Sequence, residues 1–316
     1  MKLLNKKTSI DFMGKRNIAY VASAILIVLS IGSLATRGLN FGLDFTGGML
    51  IEVTYPSAPK IATVREHLET AGLTDAVVQT FGGASEIVVR IPPRDEEETD
   101  AELSTVVLNA LQQGVEGEVL MRRVEFVGPQ VGDELTEQGI LAVVYALIGI
   151  FFYVMMRFQW RFSVGAVAAL VHDIIITMGI LSFIHVEFDL TVVAALLAVI
   201  GYSLNDTIVV FDRIRENFPR LRKSSPLEVI NTSINQTLAR TLMTSGTTLL
   251  VLFALFVFGG EIINAFAFTL IIGIGVGTYS SIYVASAVLL EIGVTKYDLL
   301  EVEKEGAGAN NVGDMP

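Results

Sequence analysis

Cysteine is absent from all 316 residues, so a disulfide framework and thiol chemistry are excluded. Charge is scarce as well. Only 17% of the residues are Asp, Glu, Lys or Arg, against 52% hydrophobic, a balance too apolar for an ordinary soluble domain. Six windows of membrane length almost lack charge: residues 18–36, 139–156, 162–184, 190–211, 234–258 and 263–290. Each is expected to be a helix, because a lone apolar segment in lipid must satisfy its own backbone.

The few Lys and Arg residues sort by side. Lys2, Lys6, Lys7, Lys15 and Arg16 precede the first window, and Arg157 and Arg161 separate the second from the third. Arg213, Arg215, Arg220, Arg222 and Lys223 follow the fourth, in what reads as a loop over 213–223. The intervening short loops, 185–189 and 259–261, have none. The positive-inside rule then puts both termini in the cytoplasm. The expected organisation is a cytoplasmic tail over 1–17, a first helix over 18–36, an external domain over 37–138, five helices over 139–290 and a cytoplasmic tail over 291–316. A cleaved signal peptide is the competing reading of the first window, but its apolar stretch exceeds the usual length.

Acidic charge is concentrated outside the membrane. Residues 37–138 have 7 basic and 18 acidic side chains, which accounts for the whole net charge of −11. Such a surface repels nucleic acid and anionic headgroups and would suit a basic partner or simple solubility. Its periodicity predicts a strand over 49–55, a helix over 61–71, strands over 76–81 and 86–91, a helix over 95–113 and a strand over 119–127. That βαββαβ order is expected to form a small ferredoxin-like α+β domain. Pro92-Pro93 and the acidic run 95–98 read as a turn and a helix start, not a metal site.

Within the apolar windows a few ionisable groups carry the question of function, because a charge at that depth is costly and usually faces a bundle interior or a water path. Asp206 ends a polar island in the fourth window. Arg240 lies six residues into the fifth, at similar depth in an antiparallel arrangement, so an ion pair between them is geometrically feasible and would lower the cost of both charges. Protonation of Asp206 would release Arg240 and convert proton entry into helix movement. A fixed pair that only ties two helices is the plainer alternative. Asp173, preceded by His172, is a second candidate relay site, with interhelical hydrogen bonding as the competing role. Ser203, Asn205 and Thr207 are expected along the same polar seam, although neighbours such as Asn205 and Asp206 cannot share one direction on a helix. Gly273, Gly275, Gly277, Ser280, Ser281, Ala285 and Ser286 in the last window permit close helix approach, which packing alone explains.

Two stretches, LNFGLDFTGG over 39–48 and GYSLNDTIVVFDRIREN over 201–217, closely resemble the SecD/SecF family of bacterial protein-export membrane proteins, on its SecF side. VGPQVG over 127–132, VHD over 171–173 and TLARTLMTSG over 237–246 match its other blocks in order. The resemblance implies a six-helix subunit similar to half of an RND-type transporter, located in the bacterial inner membrane. It further implies work with SecD beside SecYEG, with YajC as a further partner, on unfolded secretory polypeptide whose insertion SecA drives. Protons would be the coupling ion, with no cofactor and no chemical catalysis. Asp206 and Arg240 match the family's proton-coupling residues, and Asp173 matches a further family motif and is expected to join them in proton coupling. Gly42, Asp44, Gly47 and Gly48 match its glycine-rich junction, read here as structural, since glycine permits a tight turn. An RND-type small-molecule efflux subunit is the alternative, and chain length argues against it. An intramembrane aspartyl protease using Asp173 and Asp206 is disfavoured by the arginine at the same depth.

Overall fold

Six helices long and apolar enough to cross a membrane appear in the computed structural model, which describes residues 8–93 and 100–294. After a 3-10 turn at Met13–Lys15 comes α1 (Arg16–Arg37), ended by Gly38 at φ 67°. A short strand β1 (Asn40–Phe41) and a one-turn helix α2 (Leu43–Thr46) lead into an α+β unit. Its elements are β2 (Gly48–Thr54), α3 (Ile61–Thr70), β3 (Val77–Phe81), β4 (Gly83–Ile91), α4 (Asp100–Gln112) and β5 (Leu120–Val127). The bundle then continues with α5 (Pro129–Arg157), α6 (Trp160–Ile184), a two-residue strand β6 (Glu187–Phe188), α7 (Leu190–Arg220), α8 (Pro226–Phe258) and α9 (Glu261–Glu291).

Local chemistry sets several of these boundaries. Pro129 and Pro226 sit in the first turns of α5 and α8, where a missing N–H costs nothing. Ser225 and Glu228 close a capping box on α8. Asp189 caps α7 by accepting from the Val192 N–H at 2.8 Å.

All six expected windows are helices, but the second, fourth and fifth run further than hydropathy indicates. The segment read as a basic loop over 213–223 is helical to Arg220. The reason is amphipathic spacing. Glu216 pairs with Arg213 at 3.0 Å and Arg220 at 3.7 Å along one face, while Ile214, Asn217 and Phe218 are buried on the other. Asn217 donates to Ser233 Oγ at 2.8 Å and to Gln236 Oε1 at 2.9 Å, so the extension of α7 is held against an equally polar start of α8.

The bundle is layered. About half or more of the apolar windows of α6, α7 and α9 are buried, against 17% or less in α1, α5 and α8. The three central helices therefore form the interior, and the outer three present apolar surface such as Ile18, Met156 and Val257.

In the α+β unit four antiparallel strands lie in the order β3-β4-β2-β5. Ile51, Val53, Ile87 and Val89 bury one sheet face against Leu68 of α3 and Val107 and Leu111 of α4. The Tyr55 hydroxyl donates to the Leu111 carbonyl at 3.1 Å, and burial pushes this phenol up to about 12. The acidic run at 95–98, the basic residues at 2, 6 and 7 and the tail beyond 294 lie outside the described residues.

The unit is fastened to one end of the bundle. β1 pairs in parallel with β6, joining Asn40 to Glu187 and Phe41 to Phe188. Gly132 of α5 leaves room for the α2 backbone, since a Cβ there would stand 2.9 Å from the Phe45 carbonyl oxygen.

Candidate functional site

Helix α9 forms the spine of a polar seam through the apolar interior. A Cβ on its Gly273 would meet Val199 Cγ2 at 2.2 Å, and one on Gly277 would meet Ser203 Cβ at 2.9 Å and Asp173 Oδ2 at 3.5 Å. Glycine at these two positions lets α7 approach closely enough for short hydroxyl side chains to meet. One turn of α9 then serves three neighbours. Ser280 donates to Asp173 Oδ2 on α6 at 2.8 Å, Ser281 contacts Thr207 on α7 at 2.9 Å, and Thr278 donates to Ser245 on α8 at 2.8 Å.

Asp173 is 1% exposed and hydrogen-bonded on both oxygens. Oδ2 accepts from Ser203 at 2.6 Å and from Ser280 at 2.8 Å, and Oδ1 lies 3.0 Å from His172 Nδ1. His172 Nε2 is in turn 3.1 Å from Ser23 Oγ of α1. Asp206, 2% exposed, is held more sparsely. Among the described residues its carboxylate accepts one hydrogen bond, from Ser245 at 3.1 Å.

Two expectations are corrected. Asp206 and Arg240 are not joined as a contact ion pair among the described residues. Arg240 points to the exposed side of α8 and stays only within electrostatic range, while Ser245, five residues on, takes the carboxylate. Five residues on a helix turn the side chain by about 140°, so similar depth does not give a shared direction. Asn205 is exposed and outside the seam, whereas Ser203 and Thr207 are buried in it.

Thr278, Tyr279 and Ser280 were not singled out by the sequence as site residues beyond a small-residue stripe. The available signal was the interruption of an apolar helix by GVGTYSS over 275–281, in which polar groups recur at each step of the turn.

At the joint with the α+β unit, Asp44 Oδ2 accepts from the Leu190 N–H at 2.9 Å and Gly42 N–H donates to the Phe188 carbonyl at 2.8 Å. Gly47 and Gly48 have φ of 68° and 111°, conformations that L side chains rarely adopt. Arg90 of β4 reaches across to pair with Glu187 and also donates to the Phe41 carbonyl at 3.3 Å.

Burial pushes the Glu187 carboxyl up. Arg90 opposes the shift, and Asp189 and Asp44 reinforce it. A carboxyl raised in the folded state contributes stability that is full below its unfolded value and is lost as pH rises through the folded one. The joint is therefore expected to tighten as pH falls towards the carboxylate range, and Glu187→Gln to remove that slope. Melting of the purified protein across pH checks this, and an unchanged slope in the variant would refute it.

These features define a polytopic helical membrane protein with two carboxylates buried in a hydroxyl-lined seam and an α+β unit clamped to one end of the helices. The family model described as "Protein export membrane protein SecD/SecF, C-terminal" matches residues 107–295, and the "SecD/SecF GG Motif" matches residues 32–55. The chain belongs to the SecD/SecF family. It is 54% identical over 308 residues to a protein translocase subunit SecF of Vibrio alginolyticus, covering 97% of this chain and 98% of that one. It is 47% identical to the protein of the same name from Escherichia coli O157:H7, covering 94% and 93%. The crystal structure of SecDF, a translocon-associated membrane protein from Thermus thermophilus, superimposes with a TM-score of 0.82 at 38% identity. That match covers 92% of this chain but 39% of the SecDF chain, so the chain spans about two fifths of that longer protein. A SecDF structure in a super-membrane-facing form matches with a TM-score of 0.67.

Proposed function

We propose that this chain works as a subunit of the Sec protein-translocation machinery and uses the proton gradient to promote a late, ATP-independent stage of polypeptide export. The observation that supports this most is the seam itself, two membrane-buried carboxylates on adjacent helices held by hydroxyls that converge on one turn of α9. Asp206 takes up the proton, because its carboxylate is the more sparsely held. Once protonated, the carboxyl becomes a donor. Its remaining acceptor oxygen is neutral and holds the Ser245 hydroxyl less tightly than a carboxylate does, and the loosened Ser245 passes the event through Thr278 to α9. Arg240 provides a positive charge nearby without forming a contact ion pair with the carboxylate. Asp173 is the second coupling group.

The same reading makes SecD the partner, in keeping with relatives in which this region is about two fifths of a SecDF chain. SecYEG, YajC and polypeptide driven by SecA complete the assembly, and the chain itself performs no chemical catalysis and needs no cofactor. The α+β unit is a ferredoxin-like periplasmic domain, supported by its βαββαβ order and single antiparallel sheet. Both termini are cytoplasmic in the bacterial inner membrane, since the basic residues Arg157, Arg161, Arg213 and Arg215 gather at the end opposite that domain.

The test uses inverted membrane vesicles containing this chain with SecD and the translocon. After ATP is withdrawn, a proton gradient is expected to speed completion of a part-translocated precursor, with no effect on dye efflux. Gradient-driven efflux without faster export would instead assign the chain to the small-molecule pumps, a reading its translocase relatives do not favour.

A further inference from the structure

Beyond Asp173 the seam continues as a single file of polar contacts to α1. His172 Nδ1 lies 3.0 Å from Asp173 Oδ1, and Nε2 lies 3.1 Å from Ser23 Oγ. Ser23 Oγ lies 3.1 Å from the Tyr279 hydroxyl, which donates to the Ala19 carbonyl at 3.0 Å. The ring of Tyr279 also stacks on that of His172, with centroids 6.0 Å apart.

Four contacts in file require four hydrogens. A carboxylate with a neutral imidazole supplies one, and Ser23 and Tyr279 add one each, so the file is one short. The opposed alternatives all cost a contact. If Ser23 donates to Nε2 and Tyr279 donates to Ala19, the Ser23–Tyr279 approach brings two oxygens together with no hydrogen between them. One further proton completes the file. It sits on either side of the Nδ1–Oδ1 contact, leaves Nε2–H to donate to Ser23, and lets Ser23 donate to Tyr279 and Tyr279 to Ala19.

We propose that His172 and Asp173 hold one shared proton, and that this proton seats α1 on the α6–α9 core, making His172 and Ser23 positioning residues for the coupling reaction. The proposal rests on the reading that Asp173 takes part in proton coupling. A carbonyl cannot relay a proton onward, so the file ending at Ala19 senses protonation and does not conduct it. Loss of the proton breaks one of the contacts that fix α1.

What α1 then does follows from its packing. Above Ser23 the same face is joined to α6 by Ser30, which lies where a Cβ on Gly179 would stand 2.2 Å from the Ser30 Cβ, and by Ser33 and Ser182 at 3.0 Å. Ser182 donates to the carbonyl of Gly38 at 2.6 Å, two residues before β1. A shift at Ser23 is thus carried about 22 Å along a rigid helix to the joint with the α+β unit.

The ionisable groups facing this file are few. Asp173 shares α6 with His172; α7 brings Asp206, three residues beyond the Ser203 that bonds Asp173; α9 brings Tyr279 and, 5.3 Å from it, Tyr283. On α1, Tyr20 lies one turn below Ser23, and Arg16 is paired with Glu291 of α9 at 3.5 Å.

The chain has three histidines, which makes a direct test practical. In 15N-histidine-labelled protein assembled with SecD in lipid bilayers, His67→Gln and His185→Asn leave His172 as the sole signal. Asparagine suits residue 185, whose φ is 63°. Nε2 is expected to carry a proton at neutral pH and to lose it as pH is raised. Ser23→Ala and Tyr279→Phe should each lower the ratio of protonated to bare Nε2 at a given pH about five-fold, the effect of one buried hydrogen bond. Nε2 bare from roughly pH 5 to 9, or indifferent to both variants, would overturn the proposal. Gradient-dependent export in Asp206→Asn keeps the two readings apart. Loss of the gradient response there with a bare Nε2 rejects this inference alone, and a retained response rejects proton coupling through the seam whatever the imidazole does.

Discussion

Asp206→Asn is expected to reduce the gradient-driven part of precursor export to the level without a gradient, while the chain still assembles with SecD. The argument is one of near-identical shape. Asparagine keeps an oxygen that accepts from Ser245, so the link from α7 through Ser245 to Thr278 is retained. What is lost is the ability to gain or release a proton. A role that merely ties helices together would survive the change almost intact, because a neutral hydrogen bond replaces a charged one at a site 2% exposed. Time courses in vesicles with and without an imposed gradient separate the outcomes, and co-purification with SecD checks assembly. If the gradient still accelerates export in the variant, Asp206 is structural.

Gly48→Ala is expected to destabilise the α+β unit by about 3 kcal/mol or more, a large share of the stability of a small domain. Two independent obstacles coincide at this residue. Its φ of 111° is strained for any L side chain, and an added Cβ would stand 2.2 Å from the Ile91 carbonyl oxygen. That oxygen belongs to the backbone of the neighbouring strand β4, whose Ile91 is the register partner of Met49, so it cannot move aside without opening the sheet. Limited proteolysis and expression level provide the measurement. Gly149→Ala in α5, where nothing lies within 4 Å and φ is ordinary, is the control and should change stability by less than about 1 kcal/mol.

Much of this molecule is legible without coordinates. Hydropathy finds the six helices because lipid demands a continuous apolar surface and an internally satisfied backbone, both properties of local sequence. The alternation of residues 49–55 and 86–91 likewise marks strands that pair in the central sheet. Hydropathy fails where the helix leaves the apolar region. Residues 212–220 are polar on average, and only their partners, Ser233 and Gln236 on α8, show why they remain helical.

The candidate site divides in the same way. Asp173 and Asp206 stand out in sequence because an ionisable group in an apolar window is expensive wherever it points. Their partners do not stand out. Serine and threonine are cheap in a membrane helix, so nothing local separates Ser245, Thr278 and Ser280, which touch the carboxylates or their first hydroxyl, from Ser286, which bonds only a backbone carbonyl. Depth was readable for Arg240 and Asp206, but azimuth was not. A difference of one residue rotates a side chain by about 100°, and the bundle's packing decides which direction is interior.

Sequence alone therefore determined the membrane class, the number of spans, the α+β insertion, the family blocks and the identity of the costly groups, since each is a property of composition or short-range periodicity. Only the tertiary structure decided that α9 is the spine of the seam, that Asp206 meets Ser245 in place of Arg240, that Asn205 faces outward, and that His172 reaches α1. Those outcomes depend on which faces of six helices meet, and that choice is made by close packing of glycine and small side chains across residues as distant in sequence as Ser23 and Tyr279.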